Sequence, residues 1–440
     1  MGNYSIISTE ALLLLLNSAN TQLIDARSPD AYNGWTRQGQ HRPGHIKGAR
    51  CLPVKWTAYI DWIEIVRSKG ILSENDIVIY AEDENDSIQV ADMFSTAGYK
   101  KVIIYKDFQD AWVPNDALPM DYLPRFRQLV PPWWVKSIID RQNTEFDQKR
   151  VVLVHAHYRN PEAYSSGHIP GAISMDTLAI ESPETWNLRT PGELEAALLG
   201  HGITSDTVVI LYGKYMFPDN NDPFPGSAAG DIGAIRCAFA MMYAGVKDVR
   251  VINGGYQSWI DAGYDTETTI QPIQPQTSFG SVIPAMPSIV VDINEAKMLL
   301  DDPHGELVCI RSWPEYIGEV SGYNYIEKKG RIPGAVFGNC GSDAYHMENY
   351  RNVDNTMREY TEIQAFWNAA GITPDKRLAF YCGTGWRGSE AFFNAWLMGY
   401  PDVAVFDGGW YEWSNDPENP YETGIPENMP LTELNPIFKT

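Results

Sequence analysis

The chain has 440 residues, 44% of them hydrophobic and 20% charged, with a formal net charge of −22 and a pI near 4.7. This length exceeds what one core can use and predicts two to four domains, and the composition is that of a globular protein, not a disordered one. The surplus of carboxylates excludes nucleic acid and anionic membrane as natural partners, so any anionic ligand must rely on local positive groups. Five cysteines, an odd count without framework spacing, exclude a disulfide scaffold; with no Cys-x-x-Cys pair, zinc is not expected either.

Ser8 and Thr9 read as caps of a first helix over residues 10–16, whose apolar run from Ala11 to Leu16 is too short to span a bilayer. No Lys or Arg precedes that run, so it is no convincing signal peptide and no membrane insertion is expected. One pattern then occurs three times. The first copy holds Leu23-Ile24-Asp25-Ala26-Arg27, Gly44-His45-Ile46-Lys47-Gly48-Ala49 and the apolar run Ile77 to Tyr80, and it ends near Trp112. The second holds Leu153 to His157, Gly167-His168-Ile169-Pro170-Gly171-Ala172 and Val208 to Tyr212, ending in Asn253-Gly254-Gly255 and Trp259. The third holds Leu307-Val308-Cys309-Ile310-Arg311, Gly330-Arg331-Ile332-Pro333-Gly334-Ala335 and Leu378 to Tyr381, ending in Asp407-Gly408-Gly409 and Trp413.

Short apolar runs alternating with helical stretches predict an α/β fold: three tandem domains, each a mostly parallel sheet flanked by helices. Proline-rich residues 114–132 and 271–287 separate the copies, giving domains at 1–124, 125–275 and 281–440. The tail from Asp416, with Pro417, Pro420, Pro426, Pro430 and Pro436, reads as an extended strap. Tyr80, Tyr212 and Tyr381 mark corresponding strand ends, where ligands bind in such sheets.

The three copies diverge directly after those tyrosines. After Tyr80 comes Ala81-Glu82-Asp83-Glu84-Asn85-Asp86, with no thiol and with carboxylates that repel an anion. After Tyr212 comes Gly213-Lys214-Tyr215-Met216-Phe217-Pro218 and a long Asn/Asp/Pro stretch, again without a nucleophile. After Tyr381 comes Cys382-Gly383-Thr384-Gly385-Trp386-Arg387-Gly388-Ser389, leading into a helix expected over residues 389–396. A cysteine where loop N–H groups and a helix N-terminus converge is thiolate-prone and nucleophilic, and the glycines let the backbone curl around it. One active site per chain is therefore expected, in the third copy.

His155 and His157 read as packing or surface histidines, and His45 and His168 as turn-stabilising ones. Cys51, Cys237, Cys309 and Cys340 read as buried small hydrophobes. Trp112, Trp259 and Trp413, at matching repeat positions, read as core or interface residues.

This three-fold pattern resembles the rhodanese (sulfurtransferase) family over nearly the whole chain, and in particular its bacterial three-domain thiosulfate sulfurtransferases. The third copy carries the likeness most fully, through Arg311-Ser312-Trp313-Pro314-Glu315, Gly341-Ser342-Asp343, the Cys382 loop and Asp407 to Trp413. The resemblance implies double displacement. Cys382 takes the sulfane sulfur of thiosulfate or a related small donor, sulfite leaves, and the persulfide passes sulfur to a thiol or cyanide. No cofactor is implied. Gly383, Thr384, Gly385, Trp386 and Arg387 are expected to form the substrate cradle, with Arg387 holding the departing sulfonate unless it closes the loop against a carboxylate such as Glu390. Arg311 is expected at the same strand ends, as a substrate contact or in an ion pair. Two departures weaken thiosulfate as donor: Cys309 stands where the first copy has Asp25, and Glu315 where two-domain enzymes of the family carry a second substrate arginine.

Mercaptopyruvate as donor, and a persulfide carrier working with a protein partner as sulfur source or acceptor, are the alternatives. A phosphatase cradle is disfavoured, because four residues rather than five separate Cys382 from Arg387. The resemblance to an exported bacterial enzyme leads us to expect a periplasmic protein whose leader has been removed, with the cytoplasm as alternative.

Overall fold

The structure is a computed structural model that describes residues 4–36, 42–216 and 224–426. It contains three five-stranded sheets. The first is built from Tyr4–Ile7 (β1), Thr21–Asp25 (β2), Arg50–Cys51 (β3), Asp76–Tyr80 (β4) and Val102–Tyr105 (β5). The second uses Leu129–Val130 (β6), Val151–His157 (β7), Ile173–Asp176 (β8), Val208–Gly213 (β9) and Asp248–Ile252 (β10). The third uses Val290–Val291 (β11), Gly305–Cys309 (β12), Val336–Phe337 (β13), Arg377–Tyr381 (β14) and Val403–Phe406 (β15). Their strand orders are β1-β5-β4-β2-β3, β8-β7-β9-β10-β6 and β11-β15-β14-β12-β13, the same order each time, and the pairings are parallel throughout. The expected α/β architecture of three parallel sheets is thus present. The run that ends in the marker tyrosine is always the central strand. Being covered on both faces, it must be apolar at successive positions, which is why Ile77 to Tyr80, Val208 to Tyr212 and Leu378 to Tyr381 are all buried.

The helices that matter for the site are Thr9–Leu15 (α1), Glu84–Thr96 (α2), Gly230–Ala244 (α3), Trp313–Tyr316 (α4), Trp386–Leu397 (α5) and Gly409–Asn415 (α6). Ser8 caps α1 by accepting from the Ala11 N–H. In the first copy the acidic stretch after Tyr80 becomes the start of α2, capped by Asp83, which accepts from Asn85 N at 2.8 Å. Helix α5 begins at Trp386, three residues earlier than the sequence pattern suggested, so the helix follows the cysteine loop directly.

Residues 4–127 form one compact unit and the described residues from 128 onward another, so the second and third sheets share a unit. Within it α3, buried along nearly its whole length, packs against α5. A helix this apolar, with its two buried charges Asp231 and Arg236 both paired, needs such enclosure. Arg351 fastens the pair, donating to Glu390 on α5 at 2.7 Å and pairing with Asp231 on α3. Trp112, Trp259, Trp410 and Trp413 are buried in their domains, each such side chain contributing on the order of 2–3 kcal/mol by area. The tail continues as far as it is described along the third domain: the Trp413 indole donates to Pro420 O at 2.8 Å, and Gly424 N donates to Ile317 O at 2.7 Å. Pro430 and Pro436, and residues 217–223 of the second copy's long loop, lie outside the described residues.

The repeat is kept by side-chain bonds as well as topology. Tyr32, Tyr164 and Tyr316 donate to the carbonyls of Ala49, Ala172 and Ala335 at 2.8–2.9 Å. His45 and His168 stack on Tyr32 and Tyr164 at 3.6 and 3.8 Å, and each bonds through Nδ1 to that tyrosine's carbonyl, which ties down the turn. The Tyr80 and Tyr212 hydroxyls accept from Ile46 N at 3.0 Å and Ile169 N at 2.9 Å. A buried N–H stripped of its acceptor costs more than a surface bond. We therefore expect Tyr212→Phe to lower the unfolding free energy by roughly 1–3 kcal/mol in urea titrations. A variant as stable as the parent would mean that the Ile169 N–H has another acceptor.

Candidate active site

Cys382 follows the central strand β14 and is fully buried. Its loop is shaped by where the peptide carbonyls go. The Cys382 carbonyl accepts from Trp410 N at 2.8 Å and that of Gly383 from Tyr411 N at 2.9 Å, both on α6. The Gly385 carbonyl accepts from Ser389 N and Ser389 Oγ, each at 2.8 Å. With the carbonyls tied outward, the N–H groups from Gly383 to Gly388 are left over, and none of them donates to a protein acceptor among the described residues. They include the orphan donors of the first turn of α5. That is the electropositive cradle a thiolate or persulfide requires. Gly385 sits at φ +87°, a left-handed conformation that turns the loop into the helix. Gly383 is needed for space, since a Cβ there would lie 2.2 Å from the Tyr323 ring.

Arg387 is not a free anion anchor. Its Nη1 donates to Glu315 Oε2 at 2.9 Å and to the Asp343 carbonyl at 2.9 Å; its Nη2 donates to Glu315 Oε1 at 2.8 Å and to the Tyr323 hydroxyl oxygen at 2.8 Å. Both partners of this two-pronged pair are buried. Burial pushes the Glu315 carboxyl up, but the charge and hydrogen bonds of Arg387 reverse that and leave it below its ordinary value. Ser312 adds two more donors to Glu315 from the start of α4. The guanidinium expected to receive a sulfonate is therefore neutralised by the very residue that departs from the two-domain pattern. Glu390, the other candidate partner, is taken by Arg351.

Tyr323 gains its role from this pair. Burial holds its hydroxyl well above the ordinary phenol range, with Arg387 pulling the other way, so it stays protonated. Because its oxygen accepts from Arg387, its own proton is available to a third group.

Arg311 lies elsewhere. Its Nη2 donates to Gly330 O at 2.5 Å, its Nε reaches Cys309 Sγ at 3.4 Å, and its guanidinium stacks 4.8 Å from the Trp410 ring. Arg27 does the same in the first copy, bonding Gly44 O and Asp25. Arg311 is thus a structural residue shared by the first and third copies, with His157 at the matching place in the second, and it does not line the site cavity.

That cavity, about 360 Å³, opens beside the cysteine loop between the second and third domains. The loop contributes Thr384, Trp386 and Arg387; the third domain adds Tyr323, Tyr325, Tyr345 and Tyr411. The second domain supplies Tyr158, Arg159, Glu184, Trp186 and Phe224. Trp386 both walls the cavity, edge-on to Tyr158 at 5.6 Å, and crosses to the second domain, where its indole N–H meets both oxygens of Glu181 at 3.0 and 2.9 Å. The aromatic residues 158, 186, 224, 323 and 325 were not identified from sequence. Nothing in their spacing links them, although the Tyr323-Asn324-Tyr325 cluster in a glycine-containing loop was a visible hint.

A rhodanese-like domain matches residues 8–115, 143–262 and 292–416. The chain is 38% identical over 416 residues to thiosulfate sulfurtransferase YnjE of Escherichia coli (strain K12), spanning 93% of this chain and 90% of that one. It superimposes on the wild-type structure of EanB with a TM-score of 0.95 at 59% identity, over 96% of this chain and 99% of that one. An EanB variant carrying a cysteine persulfide, in a tetrahedral intermediate state with ergothioneine, matches with a TM-score of 0.94 at 59% identity, over 96% of this chain and all of that one. A threonine-to-alanine EanB variant in complex with hercynine matches at 59% identity with a TM-score of 0.95, over 96% and 99% of the two chains.

For Arg387→Ala we expect mainly a loss of stability, about 3–5 kcal/mol, since it strands the buried Glu315 carboxylate. Chemical denaturation measures this. A stable variant with only a raised KM for an anionic donor would return Arg387 to the role of sulfonate anchor.

Proposed function

The chain belongs to the rhodanese family and is a sulfurtransferase, and from that premise we propose that Cys382 receives sulfane sulfur as a persulfide and delivers it to the imidazole carbon of hercynine, forming ergothioneine. The observation that carries this reading is the chemistry of the cavity. It offers many aromatic faces and a carboxylate, Glu184, while the arginine of the cysteine loop is already neutralised. Aromatic faces in a desolvated site attract a quaternary ammonium group, which hercynine carries. Arg159, whose guanidinium lies 4.5 Å from the Phe224 ring centroid, gives the acceptor's carboxylate a counter-charge. The likeness to EanB structures that hold hercynine, ergothioneine and a cysteine persulfide supports the same acceptor.

In the first half-reaction the Cys382 thiolate attacks the outer sulfur of a small donor. Likeness to YnjE supports thiosulfate. The donor's S–S bond breaks, sulfite leaves with its electron pair, and Cys382 holds the persulfide in the cradle of N–H groups. In the second, the persulfide S–S bond and the acceptor's ring C–H bond break, and the new C–S bond forms with the electron pair of the C–H bond. The S–S pair leaves on Cys382, which takes up the released proton. The protonated Tyr323, beside Gly383, donates to the charge that builds on sulfur during transfer, and its oxygen stays anchored by Arg387.

Intact-protein mass spectrometry after brief incubation with thiosulfate should show a gain of roughly 32 Da that Cys382→Ser lacks. Adding hercynine should discharge that sulfur and yield ergothioneine, whereas histidine, without the quaternary ammonium, should react about 10-fold less efficiently or worse. A loaded enzyme that gives sulfur to cyanide or small thiols and never to hercynine would remove the acceptor assignment and leave a thiosulfate sulfurtransferase.

A further inference from the structure

The second domain has no cysteine at its strand end, yet one of its segments, residues 181–188, is tied to the third domain at three points and to α3 of its own domain at a fourth. The fully buried Glu181 accepts from the Trp386 indole. The Glu184 carbonyl accepts from the Tyr411 hydroxyl at 3.3 Å. The Trp186 carbonyl accepts from Arg236 Nη2 at 3.1 Å. Leu188 N donates to Asp407 Oδ2 at 2.6 Å. At the centre is Arg236, fully buried on α3, which meets Glu181 through Nε at 3.3 Å and Asp407 through Nη2 at 2.7 Å. Through Nη1 it also reaches Ser389, the residue that holds the Gly385 carbonyl of the cysteine loop.

Two carboxylates on one buried arginine are costly to desolvate and are poor evidence for added stability. What they secure is geometry. Trp186 sits at φ +64°, a conformation that a large side chain seldom adopts and that persists only when its surroundings impose it. From there its ring lies 5.8 Å from Tyr158 and 5.3 Å from Tyr325, bridging the aromatic walls of both domains. Gly233 on α3 leaves the room that the Trp386 ring fills: a Cβ there would lie 3.2 Å from it.

We propose that Glu181, with Arg236 and Asp407, is a positioning residue that holds segment 181–188 as the specificity wall of the acceptor cavity, so that the second repeat decides which acceptor the Cys382 persulfide meets. This rests on the hercynine reading and deepens it.

The test is steady-state kinetics of the full chain with hercynine, alongside the mass shift that reports sulfur loading. Glu181→Gln should raise KM for hercynine about 10-fold, the worth of one charge-assisted hydrogen bond, while kcat and loading of Cys382 stay within about 2-fold. Asp407→Asn, which acts on the same segment through Arg236 and Leu188, should shift KM in the same direction and serves if the first variant does not fold. Combining Glu181→Gln with Trp386→Phe should raise KM by less than the product of the two single effects, because both act on the Glu181–Trp386 contact. Parent protein that turns over hercynine, with unchanged KM in both carboxylate variants or with multiplying effects in the double variant, overturns the positioning role alone. Parent protein that loads sulfur but leaves hercynine untouched overturns the acceptor reading and this inference with it.

Discussion

The site depends on where three peptide carbonyls point. Those of Cys382, Gly383 and Gly385 are drawn outward by the N–H groups of Trp410, Tyr411 and Ser389. Each peptide unit is planar, so fixing the carbonyl fixes the N–H on its far side. The set of N–H groups left unpaired among the described residues in the loop after Cys382 is thus a consequence of α6 and α5 docking where they do. It stabilises negative charge without any formal cation, which a chain of net charge −22 needs at this position.

The Arg387–Glu315 pair carries the same logic further. In a site meant to grip an anion, an arginine beside the nucleophile would be left free. Here it is neutralised, buried and used to orient Tyr323. The cavity outside is lined largely by aromatic side chains, whose faces attract cations. One carboxylate, Glu315, is enough to take the arginine of the cysteine loop out of service as a free anion anchor.

The three copies show how one architecture divides its labour. All share a strand order and the tyrosine-to-alanine bond that closes their turns. In the first, the strand end leads to a conventionally capped helix; in the third, the strand end leads into the cradle. The second keeps the fold and contributes α3 and the segment around Trp186, pressed against the third domain so that two domains close one cavity.

Much of this was legible along the chain because it is local. The apolar runs, the Gly-x-Ile-x-Gly-Ala turns and the strand–Cys–glycine–helix order all arise within a few residues; they determined the repeat and the parallel sheets and singled out Cys382 as the candidate nucleophile. What the sequence could not determine was pairing at a distance. Arg387 and Glu315 are 72 residues apart, and Trp386 and Glu181 are 205 apart, with no motif joining either pair. Whether an arginine meets substrate or a carboxylate, and whether a tryptophan walls a cavity or anchors an interface, depends on which side chains a fold buries together. Burial makes an unpaired charge too costly to keep, so only the tertiary structure decided which charges were spent on one another and which faces were left for a ligand.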